Sequence, residues 1–325
     1  MTAATQPRSV NSAAADDVAP IVQRLRETYA RWTRRTPIEQ MRDDWDELFR
    51  SRAQPWRING FEAGGVAAEW IMAPDARANR TILYLHGGGF RMGSIDSHRD
   101  LMQRLSIAAG ARVLGINYRL GPEHVFPAAV EDALSGYRWL LDSGVRSGSI
   151  AFAGDSAGGG LVLACMFAAR AANLELPSAA CLMSPWTDLA ATGATFLSRA
   201  DVDPLHQRPM ILSMAKAYLG PSGNPLDPLA SPLYGDLERL PPLLIQCGDC
   251  ETILDDSVRL ADRAAKAGVA AELEVYPSMI HVFQAYGELH AARQALASAG
   301  RFLGRYFTEQ DKRPPEGRGD TRDCG

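Results

Sequence analysis

One segment constrains the fold more than any other. Residues 149–153, SIAFA, form a short apolar run, and residues 157–172, AGGGLVLACMFAARAA, continue as a helical stretch. Between them stands Gly154-Asp155-Ser156-Ala157-Gly158. A strand that turns into a helix within so few residues has no room for side chains beside the serine, so glycine is needed on both sides of it. The turn lifts the Ser156 hydroxyl above a sheet edge, and the helix N-terminus beneath it favours developing negative charge.

The same alternation runs through the chain from about residue 66. Apolar runs predict strands at 66–72, 81–85, 111–116, 149–153, 179–183, 242–247 and 271–276. Helical stretches fall at 98–109, 127–142, 157–172, 208–219, 254–267 and 284–307. Strand and helix in turn imply an α/β fold, with a mainly parallel central sheet wrapped by helices on both faces. Residues 186–228 break the rhythm with Pro, Asp and Gly around one helix, which predicts an insertion. Before the sheet, Ile21, Val22, Leu25, Tyr29 and Trp32 mark one amphipathic helix. Ile38, Met41, Trp45, Leu48 and Phe49 mark a second, with Thr36, Pro37 and Glu39 as a capping box. The segments divide into a flexible tail at 1–18, N-terminal helices at 19–60 with room for a lid role, a main α/β domain at 61–308 and a flexible tail at 309–325.

The net charge of −4 gives no nucleic-acid footprint. The first twenty residues lack the apolar run of a secretory signal, and no stretch is long and apolar enough to span a bilayer, so the cytoplasm is the expected location. The five cysteines fit free thiols. Cys247 and Cys250 form a C-x-x-C, the spacing of a redox pair or half a zinc site, but no second Cys/His pair stands at ligand spacing, and coincidence at a strand end is the simpler reading. Arg318-Gly319-Asp320 in the tail reads as a chance tripeptide.

A serine hydroxyl needs a base and a site for the oxyanion it creates. His86-Gly87-Gly88-Gly89-Phe90 ends the strand at 81–85 and exposes backbone N–H groups that no side chain blocks. A phosphate cradle would want Gly-Lys-Ser/Thr, which is absent there. Of the histidines after Ser156, His206 falls in the insertion and His290 in a helix. His281 lies in a loop just past the strand at 271–276, on the side of the sheet where Ser156 emerges. The orienting acid should follow the strand at 242–247, where position alone admits Asp249, Glu251, Asp255 and Asp256; the last two are also placed to cap the next helix.

Taken together, HGGGF at 86–90, NYRLGPEHVFPAAVEDAL at 117–134, GDSAGGGL at 154–161, SPLYGDLERLPPLLIQCG at 231–248 and MIHVFQAY at 279–286 resemble the bacterial hormone-sensitive-lipase-like (family IV) esterases. The resemblance implies the α/β-hydrolase fold with a helical cap from the N-terminal helices and the 186–228 insertion. It implies a carboxylesterase acting on short- to medium-chain acyl esters without metal or organic cofactor. The family acid usually opens an Asp-Pro-Leu-x-Asp segment; setting Asp255 on its last Asp puts Glu251 at the catalytic position, with Asp249 as the rival. Gly88, Gly89 and Ala157 would be the oxyanion donors, and His86, Asp155 and Glu123 would support the Gly-rich loop. The expected partner is a small ester, with neither nucleic acid nor membrane, and a homodimer is left open. Two alternatives share the motifs. One is hydrolysis of a lactone, carbamate or amide. The other is a small-molecule receptor like the plant gibberellin receptor, which has lost the histidine that stands here as His281.

Overall fold

A computed structural model describes residues 8–10, 17–33, 35–49 and 57–307. The expected C-terminal tail with its Arg-Gly-Asp lies outside them.

In chain order the elements are β1 (Arg8–Ser9), α1 (Ala19–Ala30), α2 (Ile38–Phe49), β2 (Arg57–Ala63), β3 (Val66–Ile71), β4 (Arg77–Leu85), α3 (Ile95–Ala109) and β5 (Ala111–Ile116). They continue with α4 (Ala128–Asp142), β6 (Ile150–Asp155), α5 (Ala157–Ala171), β7 (Ala180–Met183), α6 (Thr195–Ser198) and α7 (Arg208–Leu219). The last are β8 (Leu243–Gly248), α8 (Leu254–Lys266), β9 (Ala271–Tyr276) and α9 (His290–Tyr306).

The strands form one nine-stranded sheet in the order β1-β9-β8-β7-β6-β4-β5-β3-β2. Neighbours from β1 to β5 run parallel, while β3 and β2 close the far edge antiparallel. The central strands are buried on both faces, as their unbroken apolar runs require. In β4, Leu83 and Leu85 point into the core beneath α4, α5 and α8, while Ile82 and Tyr84 point into the core beneath α3 and α9. The chain reverses direction across the sheet at β4, which has β5 on one side and β6 on the other. Such a switch point opens a crevice outside the carboxyl ends of the strands. The loops that follow β4 and β6 carry the glycines at 87–89 and Ser156.

Three expectations need correction. The segment 1–18 is not wholly a loose tail: Arg8 and Ser9 pair with Glu274 and Val275 of β9 and extend the sheet. The helix drawn from 284 starts at His290, because a short 3-10 turn at Phe283–Ala285 comes first. The capping box at α2 is not made; a turn from Thr33 to Thr36 claims the Thr36 hydroxyl, which accepts the Thr33 N–H at 2.9 Å.

Candidate active site

Ser156 sits between β6 and α5 with φ 50° and ψ −122°, a conformation that side chains rarely adopt. The surroundings enforce it. A Cβ on Gly154 would lie 2.7 Å from the Leu85 carbonyl oxygen, and one on Gly158 only 2.0 Å from the same atom. The Ser156 N–H donates to Met183 O at the end of β7, and its carbonyl accepts the Trp186 N–H, both at 2.9 Å. The elbow is therefore tied to its neighbours by backbone on each side.

His281 closes on Ser156 from the loop after β9. Its Nε2 lies 2.9 Å from Ser156 Oγ, and its Nδ1 lies 2.8 Å from Glu251 Oε2. A carboxylate only accepts, so Nδ1 carries the proton and Nε2 is free to accept the serine hydroxyl. Glu251 is fully buried. Its other oxygen, Oε1, accepts the Gly248 N–H at 2.5 Å and the Ser184 hydroxyl at 2.7 Å. Ser184 Oγ in turn accepts the Val282 N–H at 3.1 Å, so one hydroxyl links the carboxylate to the residue after His281. Burial pulls the His281 imidazole down, but Glu251, with Asp203 and Asp155 beyond it, outweighs that and holds it above the ordinary histidine value.

Asp249 does not join this chain. Its Oδ1 accepts the Ser278 N–H at 2.6 Å and ties down the loop after β9. Asp255 and Asp256 also point elsewhere. Asp255 accepts the N–H groups of Ala194 and Thr195, and Asp256 those of Thr187 and Asp188, so both fasten the segment after β7 instead of capping α8.

The Gly-rich loop is held from behind. Asp155 Oδ1 accepts the Gly87 N–H at 3.0 Å and the Tyr84 hydroxyl at 2.6 Å, and its Oδ2 faces His98 Nε2 at 3.3 Å. The His86 ring Nδ1 bridges to Gly87 O at 2.8 Å and stacks on Tyr118, whose hydroxyl donates to His86 O. Burial pushes the His86 imidazole down to about 3, so it stays neutral. Gly88 and Gly89 have φ of 112° and 64°, and a Cβ on Gly88 would strike Met92 O at 2.2 Å. Their N–H groups make no hydrogen bond among the described residues. Ala157, fully buried, opens α5, where a first-turn N–H has no partner within the helix. Glu123 does not touch the glycines. It grips Arg42 of α2 with both oxygens at 2.8 and 2.9 Å, and Arg42 donates to Arg91 O and Gly121 O. Arg42 of α2 thus stands between Glu123 and the segment after the glycines.

Ser156, His281, Gly88 and Gly89 line one cavity of about 280 Å³. α1 and α2 add Tyr29, Trp45, Leu48 and Phe49 to its walls, and the segment before and within α7 adds His206, Ile211 and Met214. Ser184 and His206 reach this place through long-range packing that no local motif signals. The C-x-x-C thiols are free and raised, Cys250 to about 11, and no group of potential metal ligands occurs among the described residues.

Known proteins resemble the chain along most of its length. The family model for the alpha/beta hydrolase fold matches residues 82–285. A crystal structure of an esterase from the bacterial hormone-sensitive lipase family superposes with a TM-score of 0.86 at 43% identity, covering 91% of this chain and 100% of that one. The chain belongs to this family. An acetyl-hydrolase of Streptomyces hygroscopicus is 46% identical over 241 residues, 74% of this chain and 80% of its own length. An esterase of Acinetobacter venetianus is 35% identical over 247 residues, 76% and 81% of the two chains. No helix among the described residues is long and apolar enough to cross a membrane.

Proposed function

We propose that this member of the hormone-sensitive-lipase family, a carboxylic ester hydrolase, cleaves short- to medium-chain acyl esters with Ser156 as nucleophile, His281 as base and Glu251 as orienting acid. The observation that carries the reading is the unbroken chain from Glu251 Oε2 through His281 to Ser156 Oγ, at 2.8 and 2.9 Å, beside two unpaired glycine N–H groups. The naming of similar proteins as esterases and an acetyl-hydrolase supports the bond type.

In the mechanism, His281 Nε2 takes the Ser156 proton as Oγ attacks the ester carbonyl. Gly88, Gly89 and Ala157 N–H groups bind the oxyanion, with the α5 N-terminus behind them. The tetrahedral species collapses as His281 gives its proton to the leaving alcohol. Water then attacks the acyl-enzyme with His281 again as base, and the carboxylic acid leaves. Glu251 steadies the imidazolium. α1, α2 and the 186–228 insertion act as the cap over the cavity, whose volume suits a short acyl chain better than a triglyceride.

The test is a panel of esters of increasing acyl length, with lactones and anilides beside them, and a covalent organophosphate mapped by mass spectrometry. The expected outcome is an adduct on Ser156, loss of at least about 10⁴-fold activity in Ser156→Ala, and fastest turnover on short and medium acyl esters. An adduct on another serine, or faster turnover on emulsified long-chain triglyceride, overturns the reading.

A further inference from the structure

Loop 203–206, before α7, sits where the cap meets the triad. Asp203 is buried, and its two oxygens serve two purposes. Oδ1 accepts the N–H groups of Leu205 and His206 at 3.0 and 2.8 Å and so shapes the turn. Oδ2 accepts the Thr252 N–H at 2.8 Å and the Thr252 hydroxyl at 3.1 Å. Thr252 is the residue directly after Glu251, and the same Thr252 hydroxyl lies 3.1 Å from the His206 carbonyl oxygen. The turn thereby places the His206 ring against His281, with centroids 4.6 Å apart at 70°.

We infer that Asp203 is a positioning residue for ester hydrolysis: it locks the backbone beside Glu251 and seats His206 as a wall that keeps the His281 ring in line with Ser156. The inference rests on the triad proposed above. Imidazole orientation matters because a displacement of about 1 Å in a reacting group costs on the order of a hundredfold in rate. His281 is held at both nitrogens, but only at the edge of its plane; His206 supplies the contact that stops it from tipping.

His206 suits that task because it stays uncharged. Burial, and then the neighbouring His281, push it down to about 4, against the pull of Asp203. Its Nδ1 is buried without a hydrogen-bond partner, 3.9 Å from Asp203 Oδ1. An imidazole kept for hydrogen bonding would not be left so; one kept for shape can be. The turn is also anchored from α1, where Arg26 Nε donates to Pro204 O at 3.2 Å and Leu205 packs on the cluster containing Ile21 and Leu25.

Asp203 has a second, electrostatic consequence. The groups that face His281 are Glu251 after β8, Asp155 at the end of β6, Asp203 on this loop and the neutral His206. Three carboxylates favour the imidazolium, and removing one shifts the balance toward neutral imidazole.

The experiment compares Asp203→Asn, His206→Phe and His206→Ala with the wild type, all full length, on one short-chain ester. In Asp203→Asn one side of the amide is a donor, so either the Thr252 clamp or the turn opens. The expected result is a kcat lower by about tenfold to a hundredfold with KM within about twofold. The acid limb of kcat/KM should move to lower pH, and Ser156 should still take the organophosphate. His206→Ala should lower kcat, and His206→Phe, which keeps a flat ring, should restore it. A purely structural role would lower Tm and leave the pH profile in place. A folded Asp203→Asn with wild-type kcat and pH profile overturns the inference. So does a His206→Ala of wild-type kcat, or a His206→Phe as slow as His206→Ala. If Asp203→Asn does not fold, the two His206 variants decide alone. Failure of the organophosphate to label wild-type Ser156 would instead remove the triad reading beneath.

Discussion

The floor and the roof of the cavity are built by different means. The floor is set largely by backbone: Ser156 hangs between two strand ends, and a Cβ on Gly87 would meet the Asp155 carboxylate and one on Gly88 the Met92 carbonyl oxygen, while the Met214 sulfur crowds Gly89. The roof is side chains. α2 buries no residue fully, yet Trp45, Leu48 and Phe49 reach the cavity. Aromatic rings run along it from Tyr29 to Trp45 at 6.2 Å, Trp45 to Phe49 at 4.9 Å and Phe49 to Tyr286 at 5.9 Å. The floor fixes a geometry to a fraction of an ångström, as bond-making requires. The roof offers apolar area whose shape can change residue by residue without disturbing the sheet. On the proposed function chemistry is thereby separated from selectivity, and variants should separate the same way.

The sharpest break lies on the floor. Glu251→Gln should lower turnover by about 10³–10⁴-fold, because an amide that donates to Nδ1 favours the wrong tautomer. Asp249→Asn should cost little turnover, since Asp249 serves the Ser278 N–H and not the imidazole. Steady-state kinetics on both variants checks this; the reverse ranking would move the acid to Asp249. The same pair bears on pH. In its proposed role as base His281 must be neutral, and its net shift is upward from the ordinary 6.5, so kcat/KM in the wild type should begin to fall already above that pH as acid is added.

The second break tests the backbone itself. Gly88→Ala would drive a Cβ to 2.2 Å from Met92 O at a φ of 112°. The loop must shift, and an oxyanion donor shifts with it. A fall of about 10²–10³-fold in kcat is expected, with KM little changed and Ser156 still present at the elbow. Equal kcat in Gly88→Ala and wild type would detach the Gly-rich loop from oxyanion binding.

The parts of this arrangement that a linear reading could find are those whose cause is local. The glycines beside Ser156 announce the elbow because the turn is tight within five residues. His281 follows from strand order, since it lies just past a strand end; strand order left Glu251 among four acids, and the family resemblance chose it. What could not be read has a cause distant in sequence. Arg8 and Ser9 are too short to signal a strand, and only β9 makes them one. Asp255 and Asp256 look like helix caps from their neighbours, yet they serve N–H groups some 60 to 70 positions earlier. Glu123 sits in a motif that suggested loop support, but its partner is Arg42, 81 residues away. Asp203 and Thr252 meet across 49 residues. Periodicity and turn chemistry carry no information on such pairings.

The smallest effects belong to the roof, and there the two N-terminal helices part company. Ile21 and Leu25 of α1 are about as buried as the sheet core, each 2% exposed, and they pack in one cluster with Met279, Ile280 and Phe283 around the loop that carries His281. α2 contributes only half-buried side chains and is fastened by polar contacts, Arg42 to Glu123 and the Ser94 hydroxyl to Asp46 at 2.8 Å. α1 should therefore act on stability first, although Ile21, Leu25 and Tyr29 also line the cavity, and α2 should act as a wall. Ile21→Ala should cost about 2–5 kcal/mol of stability through the cavity it leaves, read as a lower Tm, with a smaller change in acyl-length profile than Trp45→Ala once corrected for folded fraction, because Ile21 lines the cavity from a position anchored in the core. Trp45→Ala removes a large ring from the cavity wall and little from the core. It should change KM by a few fold, in the range of about 1 kcal/mol that an aromatic contact contributes, and shift the preferred acyl length while Tm stays close to the wild type. Measuring both variants on the same ester series separates the two roles. Superimposable profiles for Trp45→Ala and wild type would remove α2 from the wall and leave acyl selectivity to α1 and the α7 side of the cavity.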